Sequence, residues 1–151
     1  MVDYYSLQQK YLNLSSKSES QLMQLPRKRF VRLLDQLCST IVIARDRGCV
    51  ICGSQSNLSN GHYIRRGIEA LRWDLTNCNC QCMLCNNIHE YNPDPYREWM
   101  ANHYGEEILE ELDLIRLHHT RYNRLDLVDI YTSLVNIGDL YEPFQGGRDS
   151  N

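Results

Sequence analysis

The stretch that decides the fold runs from Cys49-Val50-Ile51-Cys52-Gly53 to Cys82-Met83-Leu84-Cys85-Asn86 and contains two CxxC pairs. Four thiolates at this spacing predict one structural zinc per chain, with the ligands Cys49, Cys52, Cys82 and Cys85. Cys78 and Cys80 crowd before the second pair and leave Cys80 as an alternative to Cys82, although CxxC geometry favours Cys82. A metal-stabilised fold is therefore expected around these residues.

The residues between the two pairs predict a small hairpin. Residues 54–60 are rich in turn-forming residues, and Gly61-His62-Tyr63-Ile64 is expected to form a short strand. The chain then returns through an arginine-containing loop to the second pair, and residues 83–91 predict a short helix. A lone histidine, His62, is thereby enclosed between the metal-binding pairs.

Helices are expected on both sides of the hairpin. Residues 1–24 are interpreted as an N-terminal arm of uncertain order. A basic helix is predicted from Leu25 to about Ala44, because apolar residues recur there at helical spacing. Three apolar stripes predict a helical cap over residues 93–139, packed on the core in the same domain, and residues 140–151 are expected to be a flexible tail.

The net charge of −3 conceals an asymmetry. Residues 1–73 carry 11 Lys and Arg against 5 Asp and Glu, whereas residues 74–151 carry 5 against 14. A basic half that holds the metal motif is compatible with contacts to phosphates, and the acidic half is expected to be a solvated scaffold or a partner surface. On the basic helix, Lys28, Arg29 and Arg32 form either a solvated face or a DNA contact.

The length of 151 residues favours one domain that folds without disulfides. The chain shows no secretory signal and no apolar run long enough for a bilayer, so we expect a cytoplasmic protein with no membrane partner. In a reducing compartment its 7 cysteines are expected to be metal ligands and small core residues.

The order CxxC, Gly61-His62-Tyr63, Asn77 and Cys82-Met83-Leu84-Cys85-Asn86 resembles the motif of HNH nucleases, also called ββα-metal or His-Me finger nucleases. The resemblance implies an α+β fold in which residues 25–92 form the basic helix and a zinc-bound HNH core. A C-terminal bundle of about three helices would follow this core. In that family the histidine ends the first strand, and the last ligand directly follows the final cysteine.

A more specific resemblance, over residues 29–137, is to the NinG/Rap family of phage recombination endonucleases. The residues that carry it include Leu34-Asp35-Gln36-Leu37, Ala44-Arg45-Asp46, Cys49-Val50-Ile51-Cys52-Gly53, Gly61-His62-Tyr63, Leu71-Arg72-Trp73-Asp74, Asn77, Gln81-Cys82, Cys85-Asn86, Tyr96-Arg97 and Tyr104-Gly105-Glu106-Glu107. The resemblance implies a phage or prophage origin. It also implies a metal-dependent endonuclease that is selective for branched DNA, such as D-loops and Holliday junctions.

The chemistry implied by these resemblances is phosphodiester hydrolysis. Neutral His62 would take a proton from an attacking water, and Asn77 would pin the loop that orients His62. Mg²⁺ or Mn²⁺ would neutralise charge on the scissile phosphate, with His62, Asn86 and His89 as its expected ligands.

Two positions depart from the wider HNH pattern and are shared with the NinG/Rap pattern. Gly61 stands where many HNH nucleases have an acidic metal ligand, and Asn86 stands where a histidine is usual. The catalytic ligand set is therefore incomplete by motif. Asp74, Glu69, Glu90 or water would complete it.

DNA is the expected partner. Arg65, Arg66 and Arg72 flank the expected base, and together with Arg29 they are expected to contact phosphates. A homodimer would fit paired incisions across a junction, and recombination proteins are further candidate partners.

Two other functions fit the same residues. One is a noncatalytic zinc-finger-like module that binds nucleic acid or a recombination protein. The other is a general HNH endonuclease that cuts linear duplex DNA. A comparison of branched with linear substrates separates the second of these from the leading interpretation.

Overall fold

The computed structural model describes residues 1–145 and confirms a mixed α+β fold. Its helices are α1 (Tyr4–Leu14), α2 (Glu19–Gln24), α3 (Arg27–Asp46), α4 (Glu69–Arg72), α5 (Met83–His89), α6 (Asp94–Tyr104), α7 (Glu106–Arg116) and α8 (Arg124–Gly138). Its strands are β1 (Leu58–His62) and β2 (Cys78–Cys82), and a short 3-10 turn (Glu142–Phe144) follows α8. No helix within residues 1–145 is long and apolar enough to cross a bilayer.

The two strands form an antiparallel pair in which His62 lies opposite Cys78. Successive side chains of a strand point to opposite faces of the sheet. On β2, Cys78 and Cys80 therefore face α3 and join its apolar core, whereas Asn79 faces α6. Since directly opposite residues share a face, His62 also points to the side of the sheet that α3 covers.

Helix α3 is the centre of the first apolar core, which also contains residues from α1, α2 and α8. Its predicted stripe is buried as expected, including Phe30, Leu34 and Leu37. The helix ends at Arg47, which adopts the left-handed conformation with a φ of 61°. The apolar side of α3 therefore packs in the first core and fixes the position of the helix. The opposite side of α3 is not part of this core.

The N-terminal residues are not an arm of uncertain order, because residues 4–24 contain α1 and α2. Asp3 caps α1, and Ser18 caps α2. Tyr11 of α1 is fully buried, and its hydroxyl donates to the carbonyl oxygen of Val135 in α8 at 2.9 Å. The sequence signal was weak because this helix depends on contacts with a segment far along the chain.

The helices after residue 93 do not form one bundle, contrary to the expected cap of three helices. Helices α6 and α7 pack on each other around Met100 and Leu109, in a second core. Helix α8 instead packs on α3 and contributes Tyr131 and Leu134 to the first core. Apolar periodicity predicts each helix but does not specify which neighbour it packs against.

Part of the expected flexible tail is packed against the first core. Phe144 is buried and stacks on Tyr11, with ring centroids 4.0 Å apart. The rest of that tail, residues 146–151, lies outside the described residues.

A half-buried ion pair joins the end of α3 to β2. Arg45 bonds the carboxylate of Asp46 at 2.6 Å and donates to the carbonyl oxygen of Cys78 at 2.9 Å. Asp46 in turn accepts a hydrogen bond from the backbone N–H of Cys80 at 2.8 Å. These contacts hold the sheet at a fixed position relative to α3, and they therefore set the distance between β2 and the end of this helix.

Candidate metal cluster and active site

The four cysteines of the CxxC pairs meet in one cluster. Their sulfur atoms all lie within 4.8 Å of one another, and the Sγ atoms of Cys52 and Cys82 are 3.6 Å apart. Tetrahedral zinc, with Zn–S bonds of about 2.3 Å, needs sulfur atoms about 3.8 Å apart. The cluster therefore has the geometry and donor chemistry to hold a metal ion such as zinc.

Two backbone turns bring these thiols together. Gly53 has a φ of 78°, which favours glycine, and its N–H donates to the carbonyl oxygen of Cys49 at 2.8 Å. Cys82 is the N-cap of α5, and its sulfur accepts a hydrogen bond from the N–H of Cys85. One tight loop and one helix start thus supply two ligands each.

The charge balance of the cluster favours a bound cation. Burial opposes ionisation of Cys49, but backbone N–H groups, including those of Cys52 and Cys82, lower its pKa to about 7. Burial and the neighbouring thiols raise the pKa of Cys85. Thiolates this close repel one another, so a cation is needed for all four to ionise together.

The two cysteines upstream of the second pair lie outside the cluster. Cys78 and Cys80 are fully buried in the core against α3. Burial raises the pKa of the Cys80 thiol to about 12 and that of Cys78 well above its usual value. The structure thus groups Cys82, and not Cys80, with the other three sulfurs.

A pocket of about 660 Å³ opens on the α3 side of β1. Of the residues expected in the site, those that line it are His62, Arg65, Arg66, Asn86 and His89. Asp35 and Ser39 of α3 line the same pocket. The structure therefore brings together residues that lie more than 50 positions apart in the chain.

His62 ends β1 and is held by a backbone acceptor. Its Nε2 lies 2.8 Å from the carbonyl oxygen of Arg72. Because a carbonyl only accepts, Nε2 carries the hydrogen, and the neutral ring keeps Nδ1 as its proton acceptor. Burial lowers the pKa of His62, but the Cys78 side chain, the Arg72 carbonyl and the charge of Asp35 outweigh burial and raise it above the usual 6.5.

Asn77 is fully buried and holds the loop that follows His62. Its Oδ1 accepts from the N–H of Ile64 at 2.8 Å, and its Nδ2 donates to the carbonyl oxygens of Ile64 at 2.9 Å and Leu71 at 3.0 Å. The side chain thereby fixes the backbone near both His62 and Arg72. It does not line the pocket, so its place fits a loop-pinning residue.

Helix α5 presents Asn86 and His89 to the pocket. Asn86 follows Cys85 directly, so the cysteine cluster sets its position. The Nε2 of His89 lies 2.9 Å from the carbonyl oxygen of Tyr63, and its Nδ1 is buried with no hydrogen-bond partner among residues 1–145. His89 therefore ties α5 to the loop after β1. The nitrogen that remains for binding an ion is Nδ1, which is buried.

The three carboxylates considered for the incomplete ligand set lie in different surroundings. Asp74 accepts hydrogen bonds from two backbone N–H groups of its own turn. Glu69 pairs with Arg27 at 2.5 Å. Glu90 lines the pocket together with His62. Of the three, Glu90 is the one near the expected base.

Sequence reasoning did not single out Asp35 as a site residue. Asp35 lines the pocket, and its carboxylate accepts two hydrogen bonds from Arg72, at 2.8 and 2.6 Å, and one from Trp73 Nε1 at 2.9 Å. The residue lies within a segment that carries the family resemblance, and that was the available signal. Its bonds hold Arg72, whose carbonyl bonds His62.

The structure explains why glycine precedes His62. A Cβ atom added to Gly61 would lie 2.1 Å from Oε1 of Gln81, whose side chain fills that space. Gln81 is buried, and neither polar atom of its side chain has a hydrogen-bond partner in the described part of the chain. An acidic side chain at position 61 would therefore meet Gln81 before it reached any ion.

The four expected DNA-binding arginines differ in their surroundings. Arg65 and Arg66 are exposed and line the pocket. The guanidinium of Arg72 forms an ion pair with Asp35, so its role is to hold the backbone carbonyl that contacts His62. Arg29 is exposed on α3 and does not line the pocket.

The model of the family described as "Bacteriophage Lambda NinG protein" matches residues 8–135. Protein ninG of Escherichia phage 933W is 30% identical over 93 residues, which are 58% of this chain and 46% of that protein. Protein ninG of Escherichia phage lambda is 28% identical over 93 residues, with the same coverage, and that of Salmonella phage P22 is 27% identical over 99 residues, covering 62% and 49%.

The match covers about half the length of these curated relatives. No solved structure matches the chain.

Proposed function

Since the chain belongs to the NinG family of phage proteins, we propose that it is a metal-dependent endonuclease that hydrolyses phosphodiester bonds in branched DNA. Residues 25–92 would form the basic helix and the zinc-bound HNH core of this enzyme. The observation that carries it is the histidine at the end of β1, whose ring is fixed by a backbone carbonyl inside a pocket that also contains Asn86, Arg65 and Arg66.

The proposed general base is His62. The 2.8 Å hydrogen bond from Nε2 to the Arg72 carbonyl fixes the tautomer in which Nδ1 carries no hydrogen and can accept a proton. That carbonyl is positioned on one side by the Asp35 pair and on the other by Asn77, which bonds the carbonyl of Leu71. A base in a fixed orientation supports proton transfer, because no ring rotation is needed before the step.

The pocket also offers oxygen donors for a divalent cation. Asn86 and Glu90 carry amide and carboxylate oxygens, the donors that Mg²⁺ prefers, and both line the pocket with His62. When bound there, Mg²⁺ or Mn²⁺ would neutralise charge on the scissile phosphate and its leaving oxygen. Arg65 and Arg66 would bind the adjacent phosphates and hold the DNA backbone against the base.

The cysteine cluster would hold one structural zinc per chain. It joins the loop at Cys49 to the start of α5, and α5 carries Asn86 into the pocket. The role proposed for zinc is therefore to fix the geometry of the hydrolytic residues, with no part in the hydrolysis itself.

The experiment is a cleavage assay with labelled four-way junction, D-loop and linear duplex of matched sequence. We expect Mg²⁺- or Mn²⁺-dependent cutting of the branched substrates, abolished in His62→Ala. The matched control is His118→Ala, because His118 is an exposed histidine outside the pocket. Equal cleavage by the wild type and His62→Ala would exclude the assigned base.

The same assay separates the alternative functions. Binding to DNA without metal-dependent cutting would identify a noncatalytic zinc module. Equal cutting of the linear duplex would identify a general HNH endonuclease.

A further inference from the structure

Within the part of the chain that the structure describes, exposed positive charge without an ion-pair partner occurs on α3 and at the pocket, as well as at Lys10, Lys17 and Arg121. Six arginines form ion pairs within the described residues: Arg27, Arg45, Arg47, Arg72, Arg97 and Arg116. In contrast, Lys28, Arg32, Arg65 and Arg66 are exposed and form no ion pair with any residue from 1 to 145. Of the two carboxylates that line the pocket, Asp35 is paired with Arg72, and Glu90 forms no ion pair among residues 1–145.

Helix geometry places two of these cations on the pocket side of α3. Asp35 and Ser39 define that side, since both line the pocket. Viewed down the helix axis at 3.6 residues per turn, Lys28 points midway between Asp35 and Ser39. Arg32 points within about 40° of the same direction. Arg29 points about 100° away from the direction midway between Asp35 and Ser39. Adjacent cationic residues of the same helix thus point in different directions.

The loop that carries Arg65 and Arg66 runs beside the first turn of α3. Glu69, at the start of α4, contacts Arg27 at 2.5 Å and so ties the two segments together. Lys28 lies about 10 Å along the helix axis from Asp35, and Arg32 lies about 5 Å from it. With this geometry, Lys28, Arg32, Arg65 and Arg66 would form one strip that begins at the pocket and extends towards the N-terminus of α3.

We propose that Lys28 and Arg32, together with Arg65 and Arg66, form a basic strip that binds the DNA backbone on its way into the pocket. The inference rests on the proposed nuclease function for the identity of the nucleic acid. It goes beyond that function by assigning Lys28 and Arg32 to phosphates and by placing Arg29 outside the contact. These contacts would be independent of base sequence, because phosphates carry no sequence information.

The experiment measures binding of a fluorescent four-way junction without Mg²⁺, as a function of salt. The test variant is Lys28→Gln/Arg32→Gln, and its control is Lys17→Gln/Arg29→Gln, which removes the same charge from exposed positions away from the strip. We expect the test variant to bind roughly tenfold more weakly and to lower the slope of log Kd against log salt by about 2, because each lost phosphate contact lowers it by nearly 1. The control should stay within about twofold of the wild type.

Cleavage at junction concentrations far below saturation should fall in the test variant in proportion to its weaker binding, whereas the control should cleave as the wild type does. Equal weakening in the two double variants would overturn the strip, because it would indicate a response to net charge alone. Wild-type binding by the test variant would overturn it as well. Absence of cleavage by the wild type would contradict the nuclease function but not this inference, which is measured by binding.

Discussion

The hydroxyl of Tyr96 donates a hydrogen bond of 2.6 Å to the carbonyl oxygen of Gly61, the residue directly before His62. The same hydroxyl accepts a hydrogen bond from Asn79 Nδ2 at 3.1 Å, and Asn79 Oδ1 accepts one from Tyr104 at 2.9 Å. All of Tyr96 is buried except for 1% of its surface. The second core therefore holds the strand on which the proposed base stands.

Tyr96→Phe tests this connection. We expect the free energy of unfolding to fall by about 1–3 kcal/mol, because the buried Gly61 carbonyl loses its partner from α6. Urea denaturation measures the change. Tyr91→Phe is the matched control, since Tyr91 is 77% exposed, and a Tyr96→Phe variant as stable as this control would contradict the prediction.

We expect Asn77→Asp to lower the free energy of unfolding more than Tyr96→Phe does. A carboxylate still accepts from the N–H of Ile64 but cannot donate to the carbonyls of Ile64 and Leu71, so two buried hydrogen bonds are lost. We expect a loss of about 3 kcal/mol in unfolding free energy and a larger loss of cleavage than of DNA binding. Thermal denaturation and the junction assay measure both, with Asn102→Asp, at an exposed position of α6, as control. Normal cleavage by Asn77→Asp would remove the loop-pinning role.

Zinc content distinguishes the cluster from the cysteines of the core. Native mass spectrometry should find one zinc on the wild type and on Cys80→Ser, and none on Cys85→Ser. Since zinc binding is coupled to folding, Cys85→Ser should also lose structure around the sheet. Loss of zinc from Cys80→Ser, with retention in Cys82→Ser, would instead make Cys80 the ligand.

The pH profile of cleavage reports the proposed base. His62 must be neutral to accept a proton, so the rate at DNA concentrations well below saturation, which reflects the free protein, should rise about tenfold per pH unit while most of the histidine is still charged. Because the Cys78 side chain, the Arg72 carbonyl and Asp35 outweigh burial and raise the pKa of His62, the midpoint should lie above 6.5. A profile that is flat, or whose midpoint lies below this value, would argue against His62 as the base.

Gly61→Ala tests the close approach of Gln81. The new Cβ would lie 2.1 Å from Oε1 of Gln81, so we expect a loss of about 1–3 kcal/mol in unfolding free energy from overpacking. Adding Gln81→Ala removes the obstruction, and the double variant should be more stable than the sum of the single changes predicts. Gly67→Ala is the control, because nothing lies within 4 Å of a Cβ at that position. Additive effects would mean that the two side chains do not compete for space.

The cysteine cluster could be predicted from the sequence because its geometry is local. Each CxxC pair needs only a short turn to bring two thiols together, and spacing alone reveals such a turn. The long helix α3 was also predictable, since it has a clear local pattern. The first strand was expected at residues 61–64 but lies at Leu58–His62, because its pairing with β2 and not its own sequence sets its bounds. Fold class and family followed from these residues.

The rest depends on contacts between distant segments, which periodicity does not reveal. Nothing in the pattern of α8 indicates that it packs on α3 and not on α7, and the burial of Tyr11 depends on the same contact. Asp35 and Gln81 were missed as parts of the site for a similar reason. The first acts through Arg72, and the second acts by filling the space in front of Gly61.

Asn86 directly follows Cys85, so one helix start serves both the cysteine cluster and the pocket. Under the proposed function, cleavage in an assay supplied only with magnesium would therefore depend on the zinc of the cysteine cluster as well as on the added magnesium. Under the same proposal, protein prepared in zinc-poor medium would lack cleavage activity although every pocket residue is intact. Inhibition by a chelator can be assigned to the pocket only when magnesium alone restores it.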